Sequence, residues 1–280
     1  MKQKKLLLFI TICYAISWGC WLPVLDKIES SPFNSVPSVL LLFFIGAYSP
    51  TLTGIFLTAF FDGKNGLKDI KSRLRLKKKE MKWILISLGI GPILYGLAFF
   101  SYLIFNGQVG EVNYGLLPWI PIVFTVPIIF GPLAEEFGWR GFVLPLLNPK
   151  LQPIRSSIIV GFIWALWHAP LFWAKSGTAI SGFEVTIPLV ALFFIAVIGS
   201  SFIYTWVFNN TLGNISIAIL IHLSMNSSGT IRSMLFPNMG LEDSLDFYKY
   251  YAVVLWCFVL LGYLISHYSR KTNLPFQKIE

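Results

Sequence analysis

Eight stretches of the chain stay apolar for about the length a helix needs to cross a bilayer. They lie at 6–25, 37–61, 83–105, 119–147, 156–174, 186–208, 214–229 and 250–268. A hydrocarbon core about 30 Å thick takes about 20 such residues. The seventh stretch is short and prolines interrupt the fourth. The gaps between stretches reach about twenty residues, which leaves no room for a soluble domain. The pattern predicts an all-α fold, a polytopic transmembrane helical bundle of eight spans forming a single domain over 1–280. The N-terminal Met1-Lys2-Gln3-Lys4-Lys5 followed by an apolar run resembles a signal peptide. However, the run to Leu25 is too long and has no small-x-small cleavage site, so it reads as a retained first span.

Composition agrees. Hydrophobic residues make up 55% of the 280 and charged residues 12%, about half the charged share of a soluble globular protein. The net charge of +9 does not point to nucleic acid, because the charges sit between apolar runs instead of on one face. Their placement sets orientation, since short cytoplasmic loops collect lysine and arginine. With eight spans, both termini share a side with the loops near 62–82, 148–155 and 209–213. Seventeen of the 22 basic residues fall on that side, among them Lys150 and Lys278, and four (Lys27, Lys175, Arg232, Lys249) on the other. The split predicts cytoplasmic termini. Within 62–82, Leu67, Ile70 and Leu74 recur at helical spacing among basic residues, as in an amphipathic helix on an anionic leaflet or a solvated basic loop. The cysteines, Cys13, Cys20 and Cys257, lie in apolar runs at spacings of neither a zinc knuckle nor a disulfide framework. Asn273 to Glu280 contain no lipidation box, so the chain is not expected to be prenylated itself.

Charge at the bilayer centre costs at least about 2.5–3.5 kcal/mol, so residues that bear it there usually have a function. Within the eight runs these are Glu135, Glu136, Arg140, His168 and His222, all in the fourth, fifth and seventh. His267, at the end of the last run, can reach water and reads as structural. Arg140 is four residues from Glu136, on the same helical face, where the two can form a bidentate salt bridge. Glu135 points elsewhere without a local cation, and an unpaired, poorly solvated carboxylate suits general-base work. His168 precedes Pro170, which removes a backbone bond and can open a helix toward a cavity. His222 and Asn226 are four apart and project from one face, able to stabilise an oxyanion. Each set also fits a hydrogen-bonded clamp between helices, but such a role must then hold for all three at once. At about 1.5 Å per residue, His222 and His168 lie roughly 12 and 18 Å from the cytoplasmic ends of their runs. Glu135 falls at a similar level, so a shared pocket opening to the cytoplasm is expected.

Glu135-Glu136-x-x-x-Arg140, an aromatic-x-x-x-His ending at His168, and His222-x-x-x-Asn226 stand in that order on separate spans. Together they resemble the three motifs of the CPBP family, the CAAX-processing and bacteriocin-processing (Abi) membrane proteases that include the type II CAAX prenyl endopeptidases. The resemblance covers about 118–230, with Ser49-Pro50-Thr51 a weaker echo. Trp164 departs from the phenylalanine usual in the second motif but keeps an aromatic wall. The resemblance implies an intramembrane endopeptidase acting on membrane-associated, possibly lipidated peptides or proteins. In it Glu135 and His168 would activate water, His222 and Asn226 would form the oxyanion site, and Glu136 and Arg140 would brace the catalytic helix. It implies no metal or other cofactor. A zinc-dependent version is the alternative, since a carboxylate and two histidines could hold zinc, although HExxH is absent. GxSxG is absent too. A non-catalytic scaffold or immunity protein and a proton-relay transporter are the competing classes. With no organelle address, the expected location is a bacterial plasma membrane.

Overall fold

The structure, a computed structural model, describes residues 2–106, 109–147 and 152–271, the side chains of 106 and 266–271 excepted. Lys150, the His267 side chain and the segment 273–280 therefore lie outside the described residues. The described residues form helices and turns with no β-strand. The helices are α1 (Lys2–Trp21), α2 (Pro37–Ala47), α3 (Ser49–Arg73), α4 (Met81–Asn106), α5 (Ile120–Thr125), α6 (Pro132–Gly138), α7 (Leu144–Leu147), α8 (Pro153–Trp167), α9 (Ile187–Asn210), α10 (Ile215–Leu235) and α11 (Leu241–Lys271). Every one of the eight apolar runs is helical along most of its length.

Among the described residues, five segments are long and apolar enough to cross a membrane: Lys2–Lys27, Lys78–Phe105, Tyr114–Leu147, Ile187–Asn210 and Leu241–Ile265. A sixth is α2 and α3 taken as one span bent by 47°. The bend follows from Pro50, which cannot donate to the carbonyl one turn back and crowds it. The other two runs differ in kind. Helix α8 is apolar but short. Helix α10 is long enough but carries His222, Asn226 and several serines, and its neighbours are α4, α5, α6 and α9. A helix enclosed by others can be polar in a membrane because its polar groups find partners there. The outer surface is apolar, with Leu41, Phe56, Phe60, Leu85, Ile93 and Phe100 exposed, while Glu136 and Arg140 are fully buried. That inverted distribution is what lipid as solvent requires.

Two close approaches fix the helices that carry the three motifs. On α4, Gly91 donates its N–H to Ser224 Oγ at 3.0 Å, and a methyl group on it would overlap the Ser224 carbonyl. Helix α6 lies against α3, where a methyl on Gly54 would stand 2.9 Å from Gly138 Cα and one on Gly138 would overlap the Pro50 carbonyl. Backbone cannot yield as a side chain can. Gly138→Ala is therefore expected to destabilise the protein by about 1–3 kcal/mol, as overpacking does. Thermal unfolding in detergent checks this; an unchanged melting temperature would show that the two helices separate freely.

Between α6 and α7 the helix widens into a π-turn, Trp139–Val143, in which the Leu144 N–H bonds the Trp139 carbonyl. The cause is local. Pro145 has no N–H for the carbonyl of Gly141 four residues earlier, and its ring crowds that carbonyl, so one extra residue enters the turn.

The segment after the non-helical Gly63 (φ 55°, ψ −144°) carries the basic residues of 62–82. Its apolar residues do not all face lipid. Ile70 is buried against Ile215 and Ile219 of α10, and Leu74 packs beside them with Leu133 and Phe137 of α6. Leu67 stays exposed.

Candidate active site

Helix α6 starts at Pro132, a proline suited to the first turn of a helix, after Gly131 in a conformation neither helical nor extended (φ −150°, ψ −71°). One turn later the adjacent carboxylates of Glu135 and Glu136 point into the bundle, both buried. Glu136 Oε1 accepts from Arg140 Nη1 at 2.9 Å and from His222 Nδ1 at 2.7 Å. The pairing of Glu136 with Arg140 is as the helical spacing predicts, but it is not bidentate. His222, from a helix 86 residues away, shares the same oxygen, leaving Glu136 Oε2 and Arg140 Nη2 buried without hydrogen-bond partners. The Arg140 guanidinium lies instead over the faces of Trp164 (4.7 Å) and Tyr204 (4.5 Å), an arrangement that stabilises a desolvated cation.

No lysine or arginine among the described residues forms an ion pair with Glu135, in keeping with its place on the helix, but it has partners. Oε2 accepts from the indole N–H groups of Trp139 (3.2 Å) and Trp164 (2.6 Å). Among the described residues, none donates a hydrogen bond to Oε1. Two indole donors on one oxygen hold the carboxylate at a fixed angle and leave the other oxygen unbonded by them.

His168 caps the C-terminal end of α8, where Pro170 ends the regular helix and a 3₁₀ turn, Ala169–Trp173, follows. Its Nδ1 lies 2.9 Å from the Trp164 carbonyl. A carbonyl only accepts, so Nδ1 carries the hydrogen and Nε2 presents a lone pair. His168 is half-buried and Asn226 exposed, whereas His222 is buried, so the cluster is sealed on one side and open on the other. At the open side, a methyl group on Gly131 would lie 2.7 Å from Asn226 Nδ2 and 3.8 Å from His222 Nε2. Both nitrogens thus converge on the space that the missing side chain leaves. Since His222 Nδ1 is given to Glu136, Nε2 donates when the ring carries both protons, and the Glu136 carboxylate is the countercharge for that form.

Trp164 joins the parts. It donates to Glu135, carries Arg140 on its face, and its ring centroid is 5.5 Å from that of His222 and 6.2 Å from that of His168. All six residues singled out in the sequence therefore surround one cluster. Behind it, Ser49 Oγ accepts from Trp167 Nε1 (3.3 Å) and Thr51 Oγ1 donates to the Leu133 carbonyl (2.9 Å), so the Ser-Pro-Thr stretch braces the site from α3. Sequence reasoning gave Trp164 only a wall's role and passed over Trp139, which its spacing of four from Glu135 places on the same face. Tyr204, on α9, has no spacing relation to any motif. Among the described residues, no three His, Cys, Asp or Glu side chains are grouped to hold a metal ion. The oxygens of Glu135 and Glu136 that bond are taken by indoles, guanidinium and imidazole.

A helical membrane bundle that keeps a carboxylate, two histidines and an amide around one opening has the make-up of a membrane-embedded hydrolase. Comparison with known proteins narrows this. Residues 117–228 match the family described as type II CAAX prenyl endopeptidase Rce1-like. Over 255 residues, 89% of this chain and 93% of the relative, the chain is 22% identical to CAAX prenyl protease 2 of Methanococcus maripaludis. These likenesses are to CAAX-protease-like membrane proteases, hydrolases acting on peptide bonds, and the several apolar helices long enough to cross a membrane agree.

Proposed function

We propose that this protein hydrolyses a peptide bond of a membrane-associated substrate by direct attack of water. Glu135 Oε1 takes a proton from the water while its oxygen adds to the scissile carbonyl carbon, and His168 Nε2 helps to hold that water. The carbonyl oxygen, gaining negative charge, sits in the space beside Gly131 and accepts from Asn226 Nδ2 and His222 Nε2. Collapse of the tetrahedral intermediate breaks the C–N bond, and the proton on Glu135 passes to the leaving amine. Glu136 and Arg140 are positioning residues: they hold His222 and the helix that carries Glu135. No step is routed through a metal. The observation that carries this reading is the convergence of Asn226 and His222 on one empty point, beside a carboxylate with one oxygen pinned and one unbonded.

The names of the similar proteins support a prenylated protein or peptide as the substrate class. We read the chain as eight spans with both termini cytoplasmic, in a bacterial plasma membrane, its site opening to the cytoplasmic side. The test is cleavage of bilayer-tethered fluorogenic peptides, with and without a prenyl group, by the purified full chain, repeated with chelator. Cleavage that requires the prenyl group and survives chelation is expected. Cleavage indifferent to the prenyl group would overturn the substrate class, and loss on chelation restored by zinc would overturn the direct-water mechanism.

Asn226→Ala is expected to lower kcat by about 10²–10³-fold, the usual cost of one oxyanion donor, with KM little changed. A fall in affinity without a fall in kcat would move Asn226 from the transition state to ground-state binding.

A further inference from the structure

We propose that Arg73, in the basic segment outside the three motifs, is a positioning residue that holds the catalytic helix in its π-turn. The inference rests on the hydrolase reading only for its effect on turnover. Pro145 leaves the Gly141 carbonyl without the N–H that a regular helix would supply. Arg73 Nη2 supplies a donor instead, at 2.9 Å across 68 residues of sequence. The Arg73 side chain is largely buried, and its Nε forms a 2.9 Å ion pair with the exposed Asp69, which fixes the guanidinium toward the π-turn.

Gly141 is the immediate neighbour of Arg140, whose Nη1 holds Glu136, and Glu136 in turn holds His222. A shift in the π-turn therefore moves the pair that orients both motif helices. The segment carrying Arg73 is itself tied to α10. Ser216 Oγ donates to the Leu74 carbonyl (2.8 Å), and Asn214 Nδ2 donates to the Arg75 carbonyl (2.9 Å) and to Glu80 Oε2 (3.2 Å). With Ile70 packed on Ile215 and Ile219, the basic segment is fixed to α10, and Arg73 spans from it to the π-turn. It acts as a strut between the helix of Glu135 and the helix of His222. An exposed lysine such as Lys71 on the same segment lacks this reach and can only offer charge to a lipid surface.

The experiment compares wild type, Arg73→Met, Arg73→Lys and Lys71→Gln as full-length protein in detergent or vesicles. It reads kcat and KM on the tethered peptide and hydrogen–deuterium exchange over 132–147. Arg73→Met is expected to lower kcat by roughly tenfold or more, as small misplacements of catalytic groups do, with KM within about twofold, and to raise exchange in 139–147. Arg73→Lys recovers part of kcat, and Lys71→Gln changes neither reading. Equal loss in Lys71→Gln would assign the effect to surface charge, and unchanged exchange in Arg73→Met would overturn the strut. Should wild type cleave nothing, the hydrolase reading fails, while the exchange comparison still decides whether Arg73 holds the π-turn.

Discussion

Replacing Glu135 by glutamine is expected to lower turnover by about 10²–10⁴-fold, the span that a general base contributes, and to leave the fold intact. The carboxamide fills the same volume. Its oxygen can still accept from the indoles of Trp139 and Trp164, which bond the carboxylate at 3.2 and 2.6 Å. What it loses is the basic oxygen on the unbonded side, so substrate still binds and KM moves little. Steady-state kinetics beside thermal unfolding in detergent checks the claim. A large loss of both activity and stability would mean that Glu135 supports the indole pair instead of activating water. Full activity would remove it from the chemistry, leaving His168 Nε2 as the candidate base.

Different parts of this molecule were legible in the sequence to different degrees, for physical reasons. Helical segments could be placed because lipid demands long apolar runs, and all eight are helical in the structure. A span count is harder, because enclosure by α4, α5, α6 and α9 lets α10 carry histidine, asparagine and serines that hydropathy scores as polar. Pairing within one helix could be read from spacing, which brings Arg140 to Glu136 at 2.9 Å. The bidentate geometry expected of that pair does not form, because a second helix brings His222 to the same oxygen, and spacing carries no information about that. Trp164 sat in a recognised motif, yet its N–H contact with Glu135 depends on the angle between α6 and α8. Arg73 read only as one more basic residue near lipid. Pro145 and Gly141 stand four apart in plain view, but which distant donor answers the orphaned carbonyl is decided by tertiary packing.

Removing Glu136 is expected to be the most destabilising change at the site. Glu136 and Arg140 are wholly enclosed, and among the described residues Arg140 makes its one hydrogen bond to that carboxylate. Glu136→Ala leaves the guanidinium with only the faces of Trp164 and Tyr204, and frees His222 Nδ1 as a buried donor. Breaking one side of a buried ion pair costs about 3–5 kcal/mol, because an uncompensated charge stays in a poorly solvated place. The double variant Glu136→Met with Arg140→Met removes the charge as well as the partner, and apolar groups of similar volume can replace a buried pair with little loss. Unfolding in detergent is therefore expected to show the double variant more stable than Glu136→Ala alone, a non-additive pattern that identifies direct coupling. Turnover should not return with it, because His222 then lacks the carboxylate that fixes its Nδ1 and sets Nε2 toward Asn226. Recovery of stability and activity together would mean that the pair only fills space, whereas stability without activity assigns the pair to holding the oxyanion site.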